Sequence, residues 1–182
     1  MKLYQLPSGR SVPEVLHAVI EVPKDSSNKF EYDPEYDIMR LDRVLYSAMH
    51  YPGDYGFVPS TLAEDGDPLD VTVMIGRPTF PGAVLDVRPL GFLEMTDDKG
   101  RDQKILAVPV YDPRFGNYTS LKNVGPHYLR EIENFFAVYK QLENKETTIE
   151  DWHDVDEAHA LVLECIQRYK DVKGNIEGLG DK

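Results

Sequence analysis

Three aspartates fall within six residues in Glu64-Asp65-Gly66-Asp67-Pro68-Leu69-Asp70-Val71, a spacing that could gather oxygen ligands at one point. Gly66 is free to bend and Pro68 restricts one dihedral, so alternate carboxylates of a turning chain can converge. Hard cations are held in that way: magnesium takes oxygen ligands in an octahedron, keeps several waters and shares its site with substrate phosphates. The plainer explanation is an acidic surface turn, and the added Gly, Pro and third Asp weigh against it. An EF-hand would need a ligand where Leu69 stands, a glycine in place of Asp70 and a glutamate in place of Gly76. No G-x-x-x-x-G-K-[ST] phosphate loop occurs.

Carboxylates of this kind suit phosphate chemistry only beside cations. Lys29, Arg43, Lys104 and Lys140, with Tyr51, Tyr55 and Tyr139, supply donors for phosphate oxygens. Taken singly, Arg43 and Lys104 could equally pair with acids on a strand face, and the tyrosines could be core aromatics with hydroxyls at the surface. The five histidines form no H-E-x-x-H pair, and none is assigned to metal. Cys165 is the only cysteine, which excludes an intrachain disulfide and a CxxC pair. The formal charge of −12 argues against a nucleic-acid partner, whose phosphates demand clustered Lys and Arg.

The elements that must position these residues change character along the chain. From Val15 to about Val110, Pro and Gly break the sequence into short β-branched and aromatic segments, the pattern of an all-β barrel or sandwich. Strands are expected at 15–22, 29–32, 38–46, 71–75, 84–95 and 104–110, with a hairpin turn at Asp97-Asp98-Lys99-Gly100. After Gly125 the period becomes helical: Leu129, Ile132, Phe135, Phe136, Tyr139 and Leu142 share one face, and Pro126 suits a first helical position. Asp154 with Glu157 announces a second helix, whose buried stripe is Ala158, Leu161, Val162, Cys165, Ile166 and Tyr169. Strands first and helices last predict an α+β fold, a single domain over 1–182 with 174–182 as a frayed tail. No apolar run is long enough to span a bilayer and no secretory leader is visible, so a cytoplasmic protein is expected.

Asp65-Gly66-Asp67-Pro68-Leu69-Asp70-Val71 resembles the D-G-D-P-x-D-V motif of soluble family I inorganic pyrophosphatases, bacterial type. Its companions are present. Val19-Ile20-Glu21-Val22-Pro23 precedes Lys29-Phe30-Glu31-Tyr32, and Asp42-Arg43 precedes Tyr51-Pro52-Gly53-Asp54-Tyr55-Gly56-Phe57. Met95-Thr96-Asp97 leads to Asp102-Gln103-Lys104, and Phe135-Phe136 to Tyr139-Lys140. The resemblance implies a small closed OB-like β barrel with two C-terminal helices packed against it. It also implies several Mg2+ ions per site, with Asp65, Asp70 and Asp102 holding the first of them and Asp70 bridging two. Asp97, Asp102 and Glu31 would serve ions arriving with substrate, and Glu21 would stand in the outer shell. Asp67 would accept the proton of a metal-activated water attacking pyrophosphate in line. Lys29, Arg43, Lys104, Tyr139, Lys140, Tyr55 and Tyr51 would bind that substrate. A homo-oligomer, a hexamer built of two trimers, is implied too. Two other functions fit the residues alone: a two-metal phosphoesterase acting on an organic phosphate, and a non-catalytic β-barrel binding module.

Overall fold

A computed structural model describes residues 2–98 and 100–177. Strand β1 (Leu16–Val22) carries the period-2 logic of the fold. Leu16, Ala18 and Ile20 enter one buried cluster with Val58, Leu69, Val71 and Ile105, whereas Val19 packs with Tyr32 and Phe57. At Glu21 the register between β1 and the strand through Tyr55 and Gly56 shifts, Ile20 facing Gly56 and Val22 facing Tyr55.

β1 pairs antiparallel with both β4 (Asp54–Phe57) and β6 (Val84–Asp97). β4 then pairs with β5 (Asp70–Val73), β5 runs parallel to β7 (Gly100–Pro109), and β7 returns antiparallel to β6. Five strands therefore close into a ring, the expected small OB-like barrel, and β8 (Thr148–Asp154) is added along β6. At Gly56 the β1 and β4 backbones are so close that a Cβ would lie 1.9 Å from the Val19 carbonyl oxygen. A separate antiparallel ribbon, β2 (Asn28–Asp33) with β3 (Ile38–Val44), docks through Tyr32.

Helix α1 spans Pro126–Val138 and α2 spans Val155–Glu177. Both pack against the barrel as expected, each serving a different cluster. Ala158, Leu161, Val162 and Cys165 of α2 complete the interior cluster, while Ile132, Phe135 and Phe136 of α1 cover Tyr51, Tyr55, Leu93 and Leu106. Leu142 departs from the predicted stripe: it is 61% exposed in a 3-10 turn at Gln141–Glu143, because the helix ends after Val138. The predicted capping pair is half formed. Glu157 Oε2 accepts from the Asp154 backbone at 3.1 Å, whereas Asp154 Oδ1 accepts from Val155 and Leu121 N–H groups. Residue 99 of the predicted turn and residues 178–182 of the predicted tail lie outside the described residues. No described helix is long and apolar enough to cross a membrane.

Candidate active site

Where β5 begins, beside β7, the parallel register sets Asp70 opposite Lys104. Asp102 lies two residues before Lys104 in β7, so the two share a strand face. The hairpin pairs Asp102 with Met95 and Gly100 with Asp97, which brings Asp97 to the same end of the sheet. β2 adds Lys29 and Glu31, again on one face, β4 adds Tyr55, and the C-terminal end of α1 adds Tyr139 and Lys140. These side chains line one open cavity of about 310 Å3, together with Glu21, Asp65 and Asp67. The separation in sequence is large, and the closed ring removes it.

The turn bearing Asp65 and Asp67 is built locally. Gly66 has φ +91°, a left-handed value that a side chain would resist. The Asp67 N–H donates to Asp65 Oδ1 at 3.1 Å and the Ala63 N–H to the Asp67 carbonyl at 2.7 Å. Leu69, fully buried, plugs the turn into the core, and its N–H donates to Thr61 Oγ1. Burial raises the Asp65 carboxyl above its ordinary range, against the Asp67 N–H that favours its anion.

Lys104 is the charge centre. Its ammonium bonds Asp70 and lies 2.7 Å from Asp102 Oδ1 and 3.3 Å from the Tyr55 hydroxyl. Burial disfavours its charge, yet the Asp70 and Asp102 carboxylates outweigh that and raise its pKa well above the usual lysine value. Burial also raises Asp102, opposed by Lys104. Lys140 Nζ lies 3.0 Å from Asp97 Oδ2. Glu21 accepts the Tyr32 N–H at 2.7 Å, and burial pushes its pKa up to about 8 despite that bond.

Two expected substrate-binding residues do not line the cavity. Arg43 donates from Nε to Glu143 Oε1 at 3.0 Å and also pairs with Asp42. Tyr51 is 2% exposed, packed between Tyr55 and Phe135 beneath the site. Conversely, Tyr4, Tyr32, Phe57 and Pro68 join the lining without having been assigned to it. Tyr32, Phe57 and Pro68 stood inside the motifs and could have been found there. Tyr4 follows no period and sits in a 3-10 turn, Leu3–Gln5, so nothing in the sequence marks it.

Among the described residues no three carboxylate, imidazole or thiol groups already converge at ligating distance. The donor set nonetheless fits a hard divalent cation, because the Asp70 and Asp102 oxygens already clasp a cation, the Lys104 ammonium. Among the described residues of this lining, the side chains able to ligate a metal offer oxygen, and Cys165 is buried in the interior cluster.

A family model described as inorganic pyrophosphatase matches residues 18–170. An inorganic pyrophosphatase of a Nostoc species is 53% identical over 170 residues, covering 93% of this chain and 100% of that protein. That of Halalkalibacterium halodurans is 51% identical over 158 residues, covering 87% and 97%. The crystal structure of inorganic pyrophosphatase from Thermus thermophilus superposes with a TM-score of 0.91 at 47% identity, covering 93% of this chain and 99% of that one.

Proposed function

The chain belongs to the inorganic pyrophosphatase family, and we propose that it hydrolyses pyrophosphate to two phosphates with Mg2+ ions held by Asp65, Asp70, Asp97, Asp102 and Glu31. That family implies a divalent metal and a pyrophosphate substrate; the oxygen donors and the lysines beside them support magnesium, several ions per site and the individual residue roles. The observation that carries it is the meeting of five aspartates with Lys29, Lys104 and Lys140 in one cavity. Pyrophosphate is repelled by carboxylates alone, and metal ions are repelled by ammoniums alone. A site holding both can neutralise a polyanion and its counter-cations together.

When bound, the ions supply charge neutralisation and a more acidic attacking water. Lys29, Lys104 and Lys140, with the Tyr55 and Tyr139 hydroxyls, orient the phosphate oxygens. Asp67, on the exposed rim of its turn, takes the water's proton, and Glu21 steadies the β2 backbone through Tyr32. Arg43 and Tyr51 act from the margin: Arg43 reaches phosphate after exchanging Glu143 or Asp42 for it, and Tyr51 supports Tyr55. A homohexamer in the cytoplasm, with neither nucleic acid nor membrane as a partner, completes the reading.

Phosphate release in magnesium, measured for pyrophosphate beside nucleotides and phosphomonoesters, tests it. Selective turnover of pyrophosphate is expected. Preference for an organic phosphate would favour a two-metal phosphoesterase, and no turnover of any would favour a binding module.

A further inference from the structure

The turn that carries Asp65 and Asp67 is shaped by its own bonds but placed by α2. Within it the Ala63 N–H donates to the Asp67 carbonyl at 2.7 Å, the Gly66 N–H to the Ala63 carbonyl at 3.3 Å and the Asp67 N–H to Asp65 Oδ1 at 3.1 Å. Such bonds fix a conformation without fixing where it stands relative to the strands. Leu62, the residue before the turn, does that: its N–H donates to the Cys165 carbonyl at 3.0 Å, and its carbonyl accepts from Arg168 Nη1 at 2.7 Å. Both backbone groups of one residue are thus taken by one helix. α2 is a firm base for them, because its Ala158, Leu161, Val162 and Cys165 are buried in the same cluster as Leu69 and Val71 at the other end of the turn.

Of the two bonds, the one from Arg168 is charge-assisted and short, and it is made by a side chain only 33% exposed. The pairing of Arg168 with Glu64 is weaker in kind. Arg168 Nη2 lies 4.0 Å and Arg101 Nη1 3.7 Å from Glu64 Oε1, and the Glu64 side chain is 47% exposed, so water and salt weaken both contacts. The consequence of the latch follows from where Asp65 sits. Asp70 and Asp102 belong to the paired strands β5 and β7, whereas Asp65 comes from a turn, so a cation gathering all three is held by two bodies. If their relative position is not set beforehand, the cation must order the turn as it binds, and its affinity falls.

We propose that Arg168 is a positioning residue: its bond to the Leu62 carbonyl latches the 63–67 turn to α2 and presets Asp65 for a divalent cation. This rests on Asp65 being a ligand, and the experiment separates the two. The wild type, Arg168→Met, Arg168→Lys, Glu64→Gln and Asp65→Asn are compared by magnesium affinity from calorimetry and by amide hydrogen exchange of the metal-free protein. Arg168→Met keeps a long apolar stem and removes the donor. It should bind the first magnesium about tenfold more weakly, the low end for a residue acting behind a ligand. Its Ala63 and Asp67 amides should exchange about tenfold faster, while those of Val71 and Ile105 in the barrel keep their wild-type rates. Arg168→Lys, which restores a donor, should recover part of both losses, and Glu64→Gln should resemble the wild type. Unchanged affinity and exchange in Arg168→Met, or equal acceleration at Val71 and Ile105, overturns the latch. So does a loss in Glu64→Gln as large as in Arg168→Met, since the ion pair rather than the carbonyl would then hold the turn. Wild-type affinity in Asp65→Asn overturns the ligand role of Asp65 and the metal half of the proposal, whereas exchange at Ala63 and Asp67 still decides the latch.

Discussion

The Lys104 ammonium lies 2.7 Å from Asp102 Oδ1, and the same ammonium bonds Asp70 across the parallel β5–β7 pair. Two proposed metal ligands thus share one buried lysine, and the lysine must compete with any dication for their charge. Lys104→Gln should therefore bind the first magnesium more tightly than the wild type in calorimetry. The same variant should lose about 10²-fold in kcat/KM, because a preorganised donor to phosphate is gone. Weaker metal binding in Lys104→Gln would show that the ammonium supports the carboxylates rather than competing with the metal.

Asp54 is a structural counterpart to those functional acids. It is fully buried at the start of β4 and accepts the Lys24 N–H at 2.7 Å, the Thr79 N–H at 3.1 Å and the Thr79 hydroxyl at 2.6 Å. One carboxylate so joins the loop after β1 to the loop before β6. Asp54→Ala strands buried donors and should lower the unfolding free energy by about 3 kcal/mol, read by urea denaturation. A change under about 0.5 kcal/mol, the range of neutral surface substitutions, would mean that water replaces the carboxylate at no cost.

Glu21 gives a pH signature with a definite sign. Burial raises its folded pKa from 4.5 to about 8, so between those values the folded protein holds a proton that the unfolded chain has released. Stability of the metal-free protein should fall as pH rises through that window and level off above it. Glu21→Gln, which mimics the neutral form, should lack this component. Its stability relative to the wild type should be flat below about pH 4.5, climb between 4.5 and 8, and then hold steady. Denaturant titrations in chelator across that range measure the difference, and a pH-independent difference would contradict the raised pKa.

How much of this was legible in the sequence follows from locality. The strands β1, β5, β6 and β7 and both helices announce themselves through short-range periodicity, because each buries an apolar face, whereas β2 and β3 were legible as short β-branched and aromatic segments although Tyr32 alone of their residues is buried. β4 was missed: it is four residues long, includes Gly56, and is a strand only because β1 and β5 flank it. β8 was missed because Thr148-Ile149-Glu150-Asp151-Trp152-His153-Asp154 is largely polar, as suits an added edge. Of the site, the carboxylates and lysines were visible through the motif resemblance, since each sits in a short recognisable stretch. Tyr4 was not, because its place depends on contacts with Tyr32, Phe57 and Ser60, all distant in sequence. The attachment of Arg43 to Glu143, 100 residues away, was equally out of reach.

Asp67 and Asp70 look alike in sequence, and the structure sets them in different surroundings. Asp70 is bonded to Lys104 within β5, whereas Asp67 stands exposed on the Gly66 turn. A residue within the ligand set and a proton acceptor beside it should fail differently. Asp70→Asn should weaken magnesium binding directly. Asp67→Asn preserves size and polarity, so binding of the first ions should be nearly intact while turnover drops about 10²–10⁴-fold, the usual contribution of a positioned general base. The deficit should shrink as pH rises, because more of the attacking water is already ionised and a missing acceptor matters less. Calorimetric metal affinity and phosphate release across pH, for both variants, decide the matter. If Asp67→Asn loses metal as badly as Asp70→Asn, Asp67 is a ligand and the proton must leave by another route.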